Sequence, residues 1–124
     1  MQAHLTSHNQ PPRKVRLVTD MVKGKKVQQA LNELSFLPKR AALPIYKLIA
    51  SAAANATAKG AKLEDLKVEN ITVDSAGMLV KFMPRAMGRA APVRRRKSQV
   101  SVFLTEVAAK AESKKAANAD AATA

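Results

Sequence analysis

The sequence predicts an α+β fold in which about three helices cover a small antiparallel sheet and a long basic β-hairpin projects from that sheet. Apolar residues recur at helical spacing in three segments between Pro12 and Lys59. Two strand-like segments, 66–74 and 99–105, border a stretch, 77–99, that contains seven basic residues, no acidic ones and two prolines. This stretch cannot form a core, and its place between two strands predicts the hairpin.

Length and charge limit the possible functions. The chain has 124 residues, which suffice for one domain. We predict a single domain over residues 1–106, hairpin included, followed by an Ala/Lys-rich tail, 107–124, that is disordered or partly helical. The chain has 22 Lys and Arg against nine Asp and Glu, which gives a formal net charge of +13. This charge favours an anionic partner, and nucleic acid is the first candidate.

Other classes of protein are disfavoured by what the sequence lacks. There is no cysteine, which excludes disulfides, thiolate metal sites and cysteine nucleophiles. No apolar run approaches the roughly 18 residues of a membrane-spanning helix. The first residues also lack the basic-then-apolar order of a secretory signal. We therefore expect a soluble, cytoplasmic protein with no membrane partner.

The amino-terminal segment predicts a weak strand followed by a helix. Residues Gln2 to Thr6 alternate, with Ala3 and Leu5 on one side. Pro12 suits the first turn of a helix, because its φ is already helical and its missing N–H would be unpaired there. Gly24 then ends the helix. The apolar stripe predicted for this helix consists of Val15, Val18, Met21 and Val22.

Two more helical segments follow. The second ends before Pro38 and places Glu33 on its water-facing side. The third runs from Lys39 to Lys59, and Pro44 should kink it or mark a late start, because an interior proline removes one backbone hydrogen bond. Gly60 ends it. The apolar face of the second segment is Val27, Ala30, Leu31, Leu34 and Leu37, and that of the third is Ile45, Leu48, Ile49, Ala52, Ala53 and Ala56.

The two strand segments differ in regularity. In 66–74 the apolar alternation slips between Val68 and Ile71, which indicates a bulge or a change of face. In 99–105 the alternation is unbroken. The residues predicted to share one side of this second strand are Val100, Val102 and Leu104.

The hairpin itself contains residues that interrupt regular pairing. Pro84 and Pro92 cannot donate to a ladder, so they belong at outward edges or near an irregular tip, and Gly88 suits the turn. An isolated two-stranded ribbon is marginal in water. Because the cations of the ribbon also repel one another, we predict that it is ordered only when bound.

No catalytic or metal site is predicted. His4 and His8 have the spacing of a helical metal pair, but they flank a strand end and lack a third ligand nearby. The acidic residues are dispersed, and no serine has a plausible activating base. There is no glycine-rich phosphate loop. We therefore expect neither enzymatic activity nor a cofactor.

Basic residues on separate segments predict a broad nucleic-acid interface. The run Arg94 to Lys97 alone could be a solvated face, but two further basic groups accompany the hairpin. Arg outnumbers Lys five to two in the hairpin, and its planar guanidinium suits bidentate phosphate contacts. Aromatic residues make up 3% of the chain, so folded RNA fits better than single strands stacked on aromatic rings. The predicted RNA-binding residues are Arg13, Lys14, Arg16, Lys23, Lys25, Lys26, Lys81, Arg85, Arg89, Arg94, Arg95, Arg96 and Lys97.

Four motifs carry a resemblance to a known family. They are PPRKVRLVTDMVKGK from Pro11, ALNELSF after it, SAAANA from Ser51 and MPRAMGRAAPVRRRKSQVSV from Met83. In these motifs and their order the sequence resembles the bacterial large-subunit ribosomal protein twenty-two family. The resemblance extends to Glu106, and its most specific part is the hairpin signature PRA followed by GRA from Pro84.

The resemblance implies a structural, cytoplasmic protein of the large ribosomal subunit. Such a protein binds and organises large-subunit ribosomal RNA during assembly and contacts neighbouring ribosomal proteins. The resemblance also implies that the hairpin lines the nascent-peptide exit tunnel and meets the nascent polypeptide at its tip, while Arg94 to Lys97 hold the return strand on RNA. The residues that it places along the tunnel are Phe82, Met83, Pro84, Arg85, Met87, Gly88, Arg89 and Ala90.

Four positions depart from the pattern of the family, namely Pro11, Pro44, Met87 and Gln99, and the amino-terminal strand looks abbreviated. Pro11 stands where the family usually has Ser, so we expect the first helix to lack a side-chain cap, which is typically worth about 1 kcal/mol. Met87 occupies a place that is usually basic, and Gln99 replaces the usual His. The departure at Met87 lowers the charge expected at the tunnel constriction.

Two other functions remain open from the residues alone. A nucleoid-type DNA-binding protein with basic hairpin arms would share the charge and the hairpin, but it should prefer duplex DNA and form a dimer. A protein held on a membrane surface would need one basic amphipathic helix with bulky apolar anchors. Because the densest charge here lies in a ribbon that contains prolines, the nucleoid protein is the stronger alternative.

Overall fold

The computed structural model describes residues 1–107 and confirms the predicted α+β fold. One short strand is followed by three consecutive helices and then by the two longest strands, which form the projecting hairpin. The predicted tail lies outside the described residues apart from its first residue. The elements are β1 (Gln2–His8), α1 (Pro12–Val22), α2 (Val27–Phe36), α3 (Ala42–Ala58), β2 (Leu66–Pro84) and β3 (Ala90–Glu106), with short 3₁₀ helices at Leu63–Asp65 and Ala86–Gly88.

The sheet is antiparallel, and β3 is its central strand, in the order β1-β3-β2. The register between β2 and β3 shifts between Val68 and Asn70, which confirms the irregularity predicted before Ile71. One extra residue in β2 lets Val68 and Ile71 both point into the core although they are three positions apart. The bulge thus keeps a single buried face along a strand whose alternation slips.

The hairpin begins where the pairing of β1 with β3 ends. The pairing of β1 with β3 ends at His8 and Ser98, and a second register shift in β2 lies between Ser75 and Met78. From the pair Met78–Arg96 to the last pair before the tip, β3 pairs with β2 alone. Within residues 1–107 the two strands therefore leave the sheet as a ribbon whose two outer edges have no neighbouring strand.

The core lies between the helices and one face of the sheet. Its β3 contribution is the alternating set that the sequence predicted, and the entire predicted stripe of α3 is buried. Small residues in the later half of that stripe let α3 approach the sheet closely. The prediction for Met21 is wrong, because its side chain is 47% exposed. Met21 lies at the edge of the apolar stripe of α1. The fourth buried residue of this helix is Thr19, which the predicted stripe does not include.

Proline and glycine residues set the helix boundaries. Pro12 is the first residue of α1, and Pro11 before it makes no side-chain capping bond, as predicted. The third helix begins at Ala42 instead of residue 39, which confirms the late start. Pro44 therefore lies in the first turn, where a backbone N–H has no partner within the helix. Gly60 has a φ of +90°, a value that other residues rarely adopt, and it follows the end of α3.

The packing of α3 predicts a large loss of stability on truncation of Ile49. This side chain is fully buried between α3 and the sheet, so Ile49→Ala should lower the free energy of unfolding by about 2–5 kcal/mol, as cavity-forming substitutions do. Denaturant-induced unfolding followed by circular dichroism measures this change. Leu17→Ala is the matched control, because Leu17 is 68% exposed and should change stability by less than about 0.5 kcal/mol. Equal effects of the two substitutions would contradict the described core.

Candidate nucleic-acid interface

The tip of the hairpin is a tight turn made of exposed residues. Met87 and Gly88 have positive φ values of 60° and 66°, and the amide of Arg85 donates to the carbonyl of Arg89 at 2.8 Å. The side chain of Met87 is 94% exposed. The tip therefore presents one uncovered thioether between two arginines.

The register of the ribbon distributes its arginines over both faces. Side chains of directly paired residues point to the same side of an antiparallel ladder. Arg94 pairs with Val80 and therefore shares that residue's face, whereas Arg95 pairs with Leu79 and points to the opposite side. Arg96 lies on the same face as Arg94. A ribbon with guanidinium groups on both faces can contact phosphates on both sides.

A cationic cleft lies between the base of the ribbon and the start of α1. Its cations come from three parts of the fold: α1, the loop between α2 and α3, and both strands of the ribbon. No ion pair within residues 1–107 involves any of them. Like charges held this close repel one another, and a bound anion would relieve that repulsion. The cleft is lined by Asn9, Gln10, Pro11, Lys14, Arg40, Leu79, Lys81, Arg94, Arg95, Arg96 and Lys97.

Arg40 is a cleft residue that sequence reasoning missed. The helical segment predicted from Lys39 to Lys59 includes Arg40, and Arg40 is not among the predicted RNA-binding residues. In the structure α3 begins after Lys39 and Arg40, and the loop carries Arg40 to the wall of the cationic cleft. The basic pair immediately before the late helix start was the signal in the sequence.

A second hollow lies next to the cationic cleft, on the other side of the first turn of α1. Arg13 and Arg16 line it together with Arg96 and Gly77 of the ribbon. Pro11 and Arg96 line both hollows, so the first residues of α1 stand between them. The structure thus brings the predicted group on α1 together with the hairpin, as a broad footprint requires.

The third predicted basic group lies apart from this interface. Lys23, Lys25 and Lys26 line neither hollow, and their backbone lies along the edge of β2 near Val68. Val68 and Lys25 are joined there by a 2.9 Å backbone hydrogen bond. This loop therefore protects the edge of the sheet, and its exposed lysines form a separate basic surface.

Two of the predicted RNA-binding residues already have partners within the protein. A guanidinium nitrogen of Arg16 donates to the carbonyl of Val73 at 2.8 Å. Lys25 forms an ion pair with Glu33 at 2.6 Å, so Glu33 does not simply face water as predicted. Both cations are less available to an external phosphate than the residues of the cationic cleft.

The two histidines make ordinary hydrogen bonds. Nδ1 of His4 lies 2.8 Å from Oγ of Ser101, and Nε2 of His8 lies 3.3 Å from Oε1 of Gln10. Over residues 1–107 no group of three or more metal-ligating side chains comes together. Nor does that part of the chain contain a helix with the length and apolar character of a membrane span.

Comparison with known families identifies this arrangement. The model of the family described as ribosomal protein L22p/L17e matches residues 3–105, which include all three helices and almost all of both long strands. The chain belongs to this family. The resemblance inferred from the four sequence motifs is thereby confirmed.

Individual relatives agree with the family match. The large ribosomal subunit protein uL22 of Syntrophotalea carbinolica is 53% identical over 96 residues, which cover 77% of this chain and 87% of that protein. The uL22 protein of Pelobacter propionicus is 49% identical over 105 residues, covering 84% and 95%. That of Trichlorobacter lovleyi is 50% identical over 96 residues, covering 77% and 85%. These relatives match across nearly their whole length.

The partner of Arg16 predicts that two neighbouring cations differ in their effect on stability. Arg16→Ala should lower the free energy of unfolding by about 1–2 kcal/mol, because it removes a charge-assisted hydrogen bond to the carbonyl of Val73. Arg13→Ala is the control, since Arg13 is exposed and makes no such bond within the described residues. Chemical denaturation of both variants measures the difference. Equal stability of the two would argue against the contact.

Proposed function

We propose that this chain is a structural, non-enzymatic protein of the large ribosomal subunit and that residues 1–106 act as one unit that binds and organises large-subunit ribosomal RNA. The observation that carries the proposal is the cationic cleft, where cations that form no ion pair within residues 1–107 converge from three parts of the fold. The relatives named above are large ribosomal subunit proteins, which supports the same function. Neighbouring ribosomal proteins would be its other partners.

The ribbon would be enclosed by RNA. Arginines on both faces provide phosphate contacts in two directions, which a ribbon lying on a flat surface could not use. Arg forms planar, bidentate contacts with phosphate, so the run Arg94 to Arg96 is suited to RNA segments on either side. Binding would also offset the mutual repulsion of these cations. The prediction that the hairpin is ordered only when bound follows from the same repulsion.

The tip would line the nascent-peptide exit tunnel and meet the nascent polypeptide. Two properties support this role: its residues are exposed, and Met87, which is 94% exposed, is uncharged. Diverse peptides must pass such a surface without being held. The thioether of Met87 is flexible and polarisable and adapts to many contacts.

The cationic cleft predicts how RNA binding responds to salt. Affinity for large-subunit ribosomal RNA should fall steeply with salt, and Arg94→Ala should reduce the slope of log K against log salt by about 0.7–0.9, the effect of one lost phosphate contact. Lys62→Ala removes one charge that lies outside the cationic cleft and outside the second hollow beside Arg13, so it should change the slope of log K against log salt less. Filter binding over a salt series measures both slopes.

Three outcomes would contradict the proposal. Binding that is insensitive to salt would exclude a phosphate interface of this size. Tighter binding to duplex DNA than to ribosomal RNA at matched salt would favour the nucleoid alternative. Absence of the chain from large subunits after sedimentation through a high-salt wash would exclude stable membership of the subunit.

The exposed tip predicts contact with nascent chains. A photo-reactive side chain in place of Met87, in chains assembled into translating ribosomes, should cross-link to nascent polypeptides of different sequence. The matched control is the same group in place of Leu63, which lies in the globular part and is 39% exposed. Cross-links from position 63 but not from position 87 would place the tip away from the peptide's path.

A further inference from the structure

A contiguous apolar surface lies on the helical side of the protein, next to the cationic cleft. It is formed by α1, the loop between α2 and α3, and the first turns of α3. Leu17 is 68%, Leu43 62% and Met21 47% exposed. Single exposed apolar residues are common, but a contiguous patch of this kind marks a binding surface. We call this surface the apolar groove; it is lined by Leu17, Met21, Leu37, Leu43 and Tyr46.

The apolar groove is elongated. It consists of two adjoining hollows, one beside Leu17 and Met21 and the other beside Leu43 and Tyr46. Leu37 lines both hollows, so their apolar linings are continuous. Elongated apolar grooves between helices are suited to an amphipathic helix, whose apolar side chains recur at helical spacing along the groove.

The charges beside the apolar groove are all positive. The charged residues that line it are Lys14, Lys39 and Arg40, and no Asp or Glu of residues 1–107 does so. Lys14 and Arg40 also line the cationic cleft, whereas Lys39 lines both hollows of the groove and does not line the cleft. Lys39 is therefore the cation available to an occupant of the groove.

These properties favour a protein partner over other occupants. A nucleic acid would leave its phosphates against leucine and methionine side chains, which offer no hydrogen bonds. A second copy of this chain would bring together two molecules with a formal net charge of +13 each. A helix with an apolar stripe and carboxylates beside it would complement both the apolar lining and Lys39.

We propose that the apolar groove binds an amphipathic helical segment of a partner protein, with its apolar stripe on Leu17, Leu37 and Leu43 and a flanking carboxylate paired with Lys39. This interaction goes beyond RNA binding and does not depend on it. The groove and the cationic cleft share Lys14 and Arg40, so a bound helix would lie directly beside a bound phosphate backbone.

The first experiment tests the chemistry of the groove with the purified chain. Two synthetic helical peptides of about 18 residues, or five turns, share one leucine stripe and differ only in having Glu or Lys beside it. The Glu peptide should bind roughly tenfold more tightly or better in a fluorescence polarisation assay. Lys39→Glu should reduce this preference, because only Lys14 and Arg40 would remain as cations of the groove, and Leu43→Asp should weaken binding of both peptides.

The matched control is Leu63→Asp, because Leu63 is an exposed apolar residue outside the groove. This variant should bind the Glu peptide as the unsubstituted chain does. All the substituted residues are exposed, and thermal unfolding verifies that each variant is folded. The proposal is overturned if neither peptide binds, if Leu43→Asp has no effect, or if Lys39→Glu leaves the preference unchanged.

The second experiment identifies the occupant in the cell. Benzoylphenylalanine replaces Leu17 in the full chain, and the cross-linked products are mapped by mass spectrometry. An adduct with a protein segment that has an apolar stripe and a neighbouring Asp or Glu supports the proposal. An adduct with RNA, an adduct with a second copy of this chain, or a yield no greater than from the same group at position 63 overturns it. Co-sedimentation with large subunits is scored separately, so failure of the ribosomal function would remain distinguishable.

Discussion

The structure depends on the pairing of β3 with two neighbours along one part of its length and with one neighbour along the rest. Where β1 and β2 both flank it, β3 supplies the central buried residues of the sheet. Before Ser98, from Ala90 onward, it pairs with β2 alone. The ribbon is therefore a direct extension of the two strands that build the core, and its direction is set by the packed sheet. A basic arm on a flexible linker would lack this orientation.

The distribution of charge follows from that arrangement. Cations cannot be placed in the core without large desolvation costs, so they lie on the ribbon and on the helix ends around its base. The loop before α3 and the first turn of α1 both lie near the base of the ribbon, and there they form the cationic cleft. A phosphate in the cleft would interact with several elements at once. Binding would thereby couple the position of the ribbon to that of the helices.

Much of the fold could be predicted because local patterns and tertiary packing agree. The apolar positions of α3 and β3 predict which side chains are buried, and the structure buries them. The break in the apolar pattern near Val68 predicts the bulge in the same way. For α3 the sequence left two outcomes open, a kink at Pro44 or a late start, because a proline fits either at a kink or in a first turn. The late start at Ala42 is the outcome in the structure. Met21 failed for another reason. Its position on the helical stripe is acceptable, but the elements within residues 1–107 leave it 47% exposed.

The fold class, the basic hairpin and the family could be predicted from the sequence, because these depend on residue order, charge and motifs. Which cations act together depends on the packing of the helices and strands. Arg40 joins the cationic cleft, Lys25 is paired with Glu33, and the lysines near the edge of β2 lie elsewhere. Charge is a property of the residue, whereas a charged site depends on distances between segments far apart in the chain. The apolar groove likewise depends on how α1, α3 and the loop before α3 are packed together, so it could not be predicted from the sequence.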